Sequence, residues 1–299
     1  AGLMMQELAR LSGGLCLPEN PPEFGEMPAA GPQLTRLMNE SAIPDALYEP
    51  LLARLYTSGA DVGVAQAAAT IGRDVDRGVL AQVLDLSDSE LEVALSGLLA
   101  DLVLERANGD DDRYRFRHEL LGLVAYDLQP PSRGRELHGR VADPPVAGSG
   151  SAGAVDWRLV AGHYDTAGRP GEAVTAYMRA AEGARRLGAL SEARSLLGRA
   201  IELVAAIPDS PERRSVEVGL RLRRGFLVAS AEGNNSPDAV RDYERCLELD
   251  LGDIAGDDMF STLIPLFGYY IVRGDLDRAQ QVAEVLRAGL AAGREHYRP

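Results

Sequence analysis

The hydrophobic and polar positions of the chain describe a succession of amphipathic helices, interrupted once by a short alternating stretch. Ile43-Pro44-Asp45-Ala46-Leu47 opens a helix that the spacing carries to about Tyr56, with proline near the first turn, where its missing N–H costs nothing. Val62 to Ile71, Arg77 to Leu84 and Asp88 to about Asp101 follow, the last introduced by Ser87 and Glu90 at capping-box spacing. Val103-Leu104-Glu105 and Tyr114-Arg115-Phe116, joined across Asn108-Gly109 and an Asp triplet, read as two strands and a tight turn. Leu120, Leu121, Val124, Ala125 and Leu128 then share one side of a helix, Pro130-Pro131 breaks it, and RELHGRVA (135–142) supplies the next.

From Trp157 onward the pattern becomes periodic. Trp157, Val160, Ala161, Tyr164, Gly168, Ala173, Tyr177 and Ala180 occupy the large and small contact offsets of a tetratricopeptide-like (TPR-like) helix pair. Ala193, Leu197 and Ala200 follow twenty residues after Ala173, so one helix serves two pairs. Ala239, Tyr243 and Cys246 repeat the set after EGNNSPD, where Ser236 is placed to cap and Pro237 to take the first turn. Leu263, Leu266, Tyr270, Gly274, Ala279, Ala283 and Leu286 give a fourth instance, with Phe267 where a small residue is expected. At least six helices should stack here, and the final GREHYRP lacks the polar capping helix that closes such arrays, so further repeats are expected beyond it.

The expected fold class is therefore mainly α: a winged-helix domain, built from three helices and a hairpin, followed by a TPR-like α-solenoid. Residues 1–42 hold an apolar helical start, AGLMMQELA, and a Pro/Gly-rich linker; 43–142 form the winged helix, 143–153 a second linker, and 154–299 the repeats. Gly148-x-Gly150-x-x-Gly153 in that linker formally fits a dinucleotide fingerprint, but Pro144-Pro145 precede it where a strand is required.

Composition narrows the chemistry. The chain has 299 residues, room for two domains or more, with 45% hydrophobic and only 5% aromatic residues. Its net charge is −14 and all 31 basic residues are arginine. Without lysine there is no Walker A lysine, no Schiff-base lysine and no lysine general base, so nucleotide chemistry must be completed elsewhere. An acidic surface repels phosphate backbones, and DSELEVALSGLLAD, which would enter a major groove, carries four carboxylates and no arginine; direct nucleic-acid binding is not expected. No apolar run spans a membrane and no secretory leader is visible, which gives a cytoplasmic expectation without a membrane partner. Cys16 and Cys246 stand far apart, so reduced thiols are expected.

FRHELLGLVAYDL followed by RELHGRVA resembles the "FRHxLLxxxAYxxL...RxxLHxxVA" form of bacterial STAND-type signalling ATPases, where it closes the winged helix and leads into helical repeats. IPDALYEPLLARL, AAATIGRDVDRGVLAQVL and WRLVAGHYDTAGRPGEAVTAYMRAAEGA are similar to the family's flanking motifs, and LMMQEL looks like the end of its ATPase lid. The resemblance is strongest from about 43 to 205. It implies a non-catalytic regulatory region whose solenoid receives a protein or peptide partner and whose winged helix docks on an ATPase domain outside these residues. Relatives carry an adenylate or guanylate cyclase domain, or a LuxR-type DNA-binding domain serving transcription regulation. It also implies that His118, placed at a helix N-terminus where free N–H groups favour an anion, touches the β-phosphate of ADP, with Arg115 and Arg117 supplementing it. ADP or ATP would then be bound by the parent protein, with no cofactor held by this chain alone.

Other candidates have plainer readings. His118-Glu119-Leu-Leu-Gly122 lacks the second histidine of a zinc site, so no metal is expected. No nucleophile and base fall into a catalytic arrangement, so no catalytic residue is expected. His138 and His163 read as core residues. Tyr164, Tyr177, Tyr243 and Tyr270 read as inter-helix core or as a peptide groove. Arg185 and Arg186, and Arg213, Arg214, Arg221, Arg223 and Arg224, read as solvated faces or as a surface for an acidic partner. The alternatives to the regulatory reading are a DNA-binding winged-helix regulator and a stand-alone peptide-binding TPR scaffold.

Overall fold

The computed structural model describes residues 45–57, 61–107, 112–143, 155–233, 236–249 and 256–296. The lid-like start and first linker, Pro44, the 108–111 turn and the glycines of the second linker lie outside these residues. Thirteen helices and three strands occupy the described chain: α1 (Asp45–Thr57), α2 (Val62–Ile71), β1 (Val75–Asp76), α3 (Arg77–Leu84), α4 (Asp88–Ala100), β2 (Leu104–Arg106), β3 (Arg113–Phe116), α5 (Glu119–Asp127), α6 (Pro131–Ala142), α7 (Trp157–Thr166), α8 (Pro170–Arg186), α9 (Leu190–Val204), α10 (Pro211–Glu232), α11 (Pro237–Glu248), α12 (Gly256–Arg273) and α13 (Leu276–His296).

In the first unit the strands pair antiparallel in the order β1-β3-β2, with Leu104 opposite Phe116 and Val75 opposite Tyr114. The sequence pattern yields only the two hairpin strands. β1 escapes it because two residues cannot alternate, and Asp76 also serves as the N-cap of α3, accepting from the Gly78 and Val79 N–H groups. The Ser87 capping box at α4 forms as expected. One core joins these elements, with Leu55, Leu80, Leu91, Leu95, Leu98, Leu104, Leu121 and Leu137 all fully buried. At about 25 cal/mol per Å², such leucines contribute roughly 2 kcal/mol each to holding the helices on the small sheet.

The seven helices α7–α13 form a TPR-like array: α7 to α11 pack each on the next, α12 packs on α10 and α13, and α11 shares a core with α12 and α13. The same turn closes α7, α8 and α12: Gly168, Gly188 and Gly274 sit at φ +73, +78 and +73, and the following N–H reaches back to Tyr164, Ala184 and Tyr270. Only glycine adopts that left-handed position without strain, which is why a glycine recurs there. α10 is a wall between two cores. Leu220 and Leu227 face the core of α7–α9, while Val218, Leu222 and Val228 face that of α11–α13. Phe267 is half-buried against the latter, so the missing small residue is absorbed by a larger contact. Ser236 stands at the N-cap of α11 but makes no capping bond; its hydroxyl donates to Glu232 at 2.6 Å instead.

α6 is where the two units meet. It packs against α2 and α3 on one side and α7 on the other, giving Leu137 to the first core and Ala142 to the second.

Candidate functional site

β3 runs into α5 through Arg117 and His118. His118 is the N-cap of α5, with φ −130 and ψ 129; its imidazole makes no capping hydrogen bond and is exposed. Arg117 is exposed beside it, and its N–H donates to the Val103 carbonyl at 3.1 Å, fixing the exit of the strand. Arg115 is placed differently. Its Nε and Nη2 both reach Glu105 Oε1, at 2.8 and 2.7 Å, across the β2–β3 register, so its guanidinium is committed to the sheet. The structure thus leaves His118 and Arg117 together at the positive end of α5, in company with the exposed carboxylate of Glu119 in the first turn. One turn on, Gly122 is required by packing: a Cβ there would lie 3.0 Å from the Phe116 ring. That contact explains why the second position of the would-be zinc pair is glycine. Among the described residues no group of three His, Cys, Asp or Glu side chains is placed to hold a metal.

The other end of α5 carries a feature that sequence spacing did not show. The Tyr126 hydroxyl lies 2.8 Å from His138 Nε2, and His138 Nδ1 lies 2.8 Å from His163 Nδ1. This chain of three polar groups runs from α5 through α6 to α7. His138 and His163 are buried, as their core reading has it, but they are partners rather than isolated packing residues. Desolvation pulls His138 down to about 4; desolvation, joined by the neighbouring imidazole, pulls His163 down to about 3, so both are neutral at physiological pH. The pairing escapes sequence reasoning because the residues lie 25 apart on different helices.

In the array the four tyrosines are all buried, which makes them core rather than groove. The Tyr164 hydroxyl donates to Asp143 at 3.4 Å and that of Tyr177 to Asp165 at 3.3 Å, while the Tyr243 and Tyr269 rings meet tilted by 42° with centroids 4.7 Å apart. The arginines also differ from a bare solvated face. Asp242, fully buried, accepts from Arg224 Nε and Nη2 at 2.7 and 2.6 Å and from Arg221 Nη1 at 3.2 Å. Glu217, also buried, accepts from Arg221 Nε at 2.8 Å, Arg213 Nη1 at 3.0 Å and Arg245 Nε at 3.4 Å. Arg214 pairs with Asp209, and Arg185 and Arg186 with Glu182. Arg223 is exposed. In the first unit, Asp88 and Glu92 of α4 lie 3.4 and 3.3 Å from Arg77, so part of the acidity of α4 is met within the fold.

No helix of the described residues is long and apolar enough to cross a membrane. No family model matches the chain. An uncharacterized protein of Rhizobium meliloti (strain 1021) is 28% identical over 220 residues, which is 72% of this chain and 21% of that protein; the chain thus spans about a fifth of the length of the curated relative it matches. Among solved structures, a STAND protein with a tetratricopeptide repeat sensor from Pyrococcus horikoshii aligns over 87% of this chain and 53% of that one, at 13% identity and a TM-score of 0.30, a likeness too slight to bear on fold or function.

Proposed function

We propose that this chain is the non-catalytic regulatory and protein-interaction region of a STAND-type ATP-dependent signalling protein. In this reading the first unit is a winged helix that relays nucleotide state and the helical array receives a protein or peptide partner. The observation that carries it is the joint itself: helix, strand, helix, helix and hairpin, with strand order β1-β3-β2, lead through α5 to α6, which packs on the first of the stacked helices. The motifs that resemble the STAND family fall on the elements that form this joint.

His118 supports the nucleotide half of the reading. It is exposed at a helix N-terminus beside Arg117, where free N–H groups and a cation favour a phosphate. Arg115 is held by Glu105 and takes the lesser part. The ATPase core supplies the P-loop lysine that this chain lacks, and a cyclase or LuxR-type domain is the output. The reading predicts that the purified chain does not turn over ATP, ADP or GTP. It predicts further that His118→Ala, in a longer gene product containing an ATPase core, speeds ADP release about tenfold or more, since one charge-assisted contact is worth roughly 1.5–3 kcal/mol. Turnover by the chain alone, or ADP release indifferent to His118, would defeat it.

A further inference from the structure

We propose that the Tyr126–His138–His163 chain is a proton-sensitive latch that fastens the first helix of the array to the preceding unit, closed while both imidazoles are neutral and released when both are protonated. Two Nδ1 atoms 2.8 Å apart need one proton between them, so one ring donates and the other accepts. Tyr126, 2.8 Å from His138 Nε2, completes the chain with either tautomer, because a hydroxyl both donates and accepts. One extra proton is compatible with this geometry. A second makes both Nδ1 atoms donors facing each other across a hydrogen-bond distance, and the contact must open.

Among the described residues, the ionised groups on the helices around the pair are mostly engaged elsewhere. α2 carries no ionisable side chain at all, and α3 only Arg77 at its first position. On α5, Glu119 lies in the first turn, and Asp127 accepts from the Tyr48 hydroxyl at 3.3 Å. On α6, Glu136 is shared by Arg133 and Arg140, and the Arg140 guanidinium also donates to the Val83 carbonyl; Arg135 lies on the same helix. Past its end, Asp143 is taken by Arg169 and Tyr164, and Arg169 also holds Glu172. On α7, Asp165 is taken by Arg199 and Tyr177, and Arg158 by Glu192. Asp127, Glu136, Asp143, Asp165, Glu172 and Glu192 are thus engaged elsewhere, and burial, joined by the neighbouring His138, disfavours a proton on His163.

Opening restores each imidazole to water, where it titrates near 6.5, whereas the closed latch holds both well below that value. Acid therefore draws the latch open. Between about pH 7 and pH 5.5 the opening equilibrium rises about seventy-fold for two histidines and about eight-fold for one. Because Tyr126 ends the helix that His118 begins, an open latch also frees α5 from the array. That last consequence rests on the proposed role of His118; the latch does not.

Hydrogen exchange of the full 299-residue chain tests it without any nucleotide, so failure here and failure of the nucleotide reading are separate results. After correction for intrinsic rates, protection of α7 is expected to fall about seventy-fold from about pH 7 to pH 5.5, with α11 unchanged. His163→Phe should reduce the acid response to about eight-fold, and His138→Phe with His163→Phe should abolish it. An acid-insensitive α7 in the wild type, or a double variant that keeps the response, overturns the proposal. Should the double variant not fold, side-chain nitrogen NMR of the wild type decides: the two imidazoles protonate together as α7 opens, whereas independent titration near 6.5 in a closed joint rejects the latch.

Discussion

The α6–α7 joint and the α10–α11 seam both bury polar side chains between helices of this protein, and they do it in opposite electrical states. The joint holds two bases without a counter-ion, and both stay neutral. The seam holds two carboxylates, Glu217 and Asp242, surrounded by the forks of Arg213, Arg221, Arg224 and Arg245. Burial alone disfavours charge in both places. What differs is the supply of oriented donors: Asp242 is met by three guanidinium N–H groups, whereas His138 is met by a hydroxyl and another imidazole. The lesson is that the facing helix decides how a buried polar group is held: arginine forks surround the seam carboxylates, whereas imidazoles without a counter-ion are driven neutral. Burial, helped by the neighbouring Asp242, pushes the Cys246 thiol in the seam up to about 12, so it stays protonated.

The seam should break hardest. Asp242→Ala leaves Arg221 and Arg224 facing each other without their shared carboxylate, and removal of one side of a buried ion pair costs about 3–5 kcal/mol. Denaturant unfolding followed by a probe in α11 is expected to show a loss of that size. A loss below about 1 kcal/mol would mean that the arginines reach water instead and that the seam is a surface feature.

The joint should respond next most strongly, and to protons. Both histidines have folded-state values below the unfolded 6.5, so their contribution is fully present above pH 6.5 and is lost as pH falls toward 4 and 3. Each imidazole accounts for up to about 1.4 kcal/mol per pH unit in that window, or about 2.5 kcal/mol for the pair between pH 7 and 5.5. Thermal melts monitored at α7 and α11 should therefore diverge on mild acidification, with α7 falling first. Tyr126→Phe probes the same joint at constant pH. It leaves His138 Nε2 without its partner at a cost of about 1 kcal/mol, well short of Asp242→Ala. If it proves the costlier of the two, the contrast between neutral joint and charged seam is reversed.

Much of this architecture is legible in the residues, and the illegible part has a common cause. Helices α2 to α4, the hairpin and the tyrosine-and-alanine rhythm of α7 to α9 follow from period and capping, because each depends on neighbours within a turn or two. The commitment of Arg115 to Glu105, the pairing of His138 with His163 and the burial of Glu217 and Asp242 do not, because each is set by which helix or strand lies opposite. The arginines of α10 look like a solvated face by composition. Their role appears only when α11 brings Asp242 against them. At the candidate phosphate site, the position of His118 at the start of α5 was readable from the motif, whereas the diversion of Arg115 was not.

The smallest effect sharpens the same contrast. Glu182 accepts from Arg185 at 2.8 and 2.9 Å and from Arg186 at 2.9 Å, and those bonds pull its carboxyl down to about 2. Yet Arg185 and Arg186 are 53% and 74% exposed, so water and salt compete for every one of these bonds. Glu182→Gln should therefore leave the melting temperature unchanged within error, at low and at high salt alike. A clear loss at low salt that disappears on adding salt would show that the exposed pair works by charge after all. Burial would then not be what separates the seam from the surface.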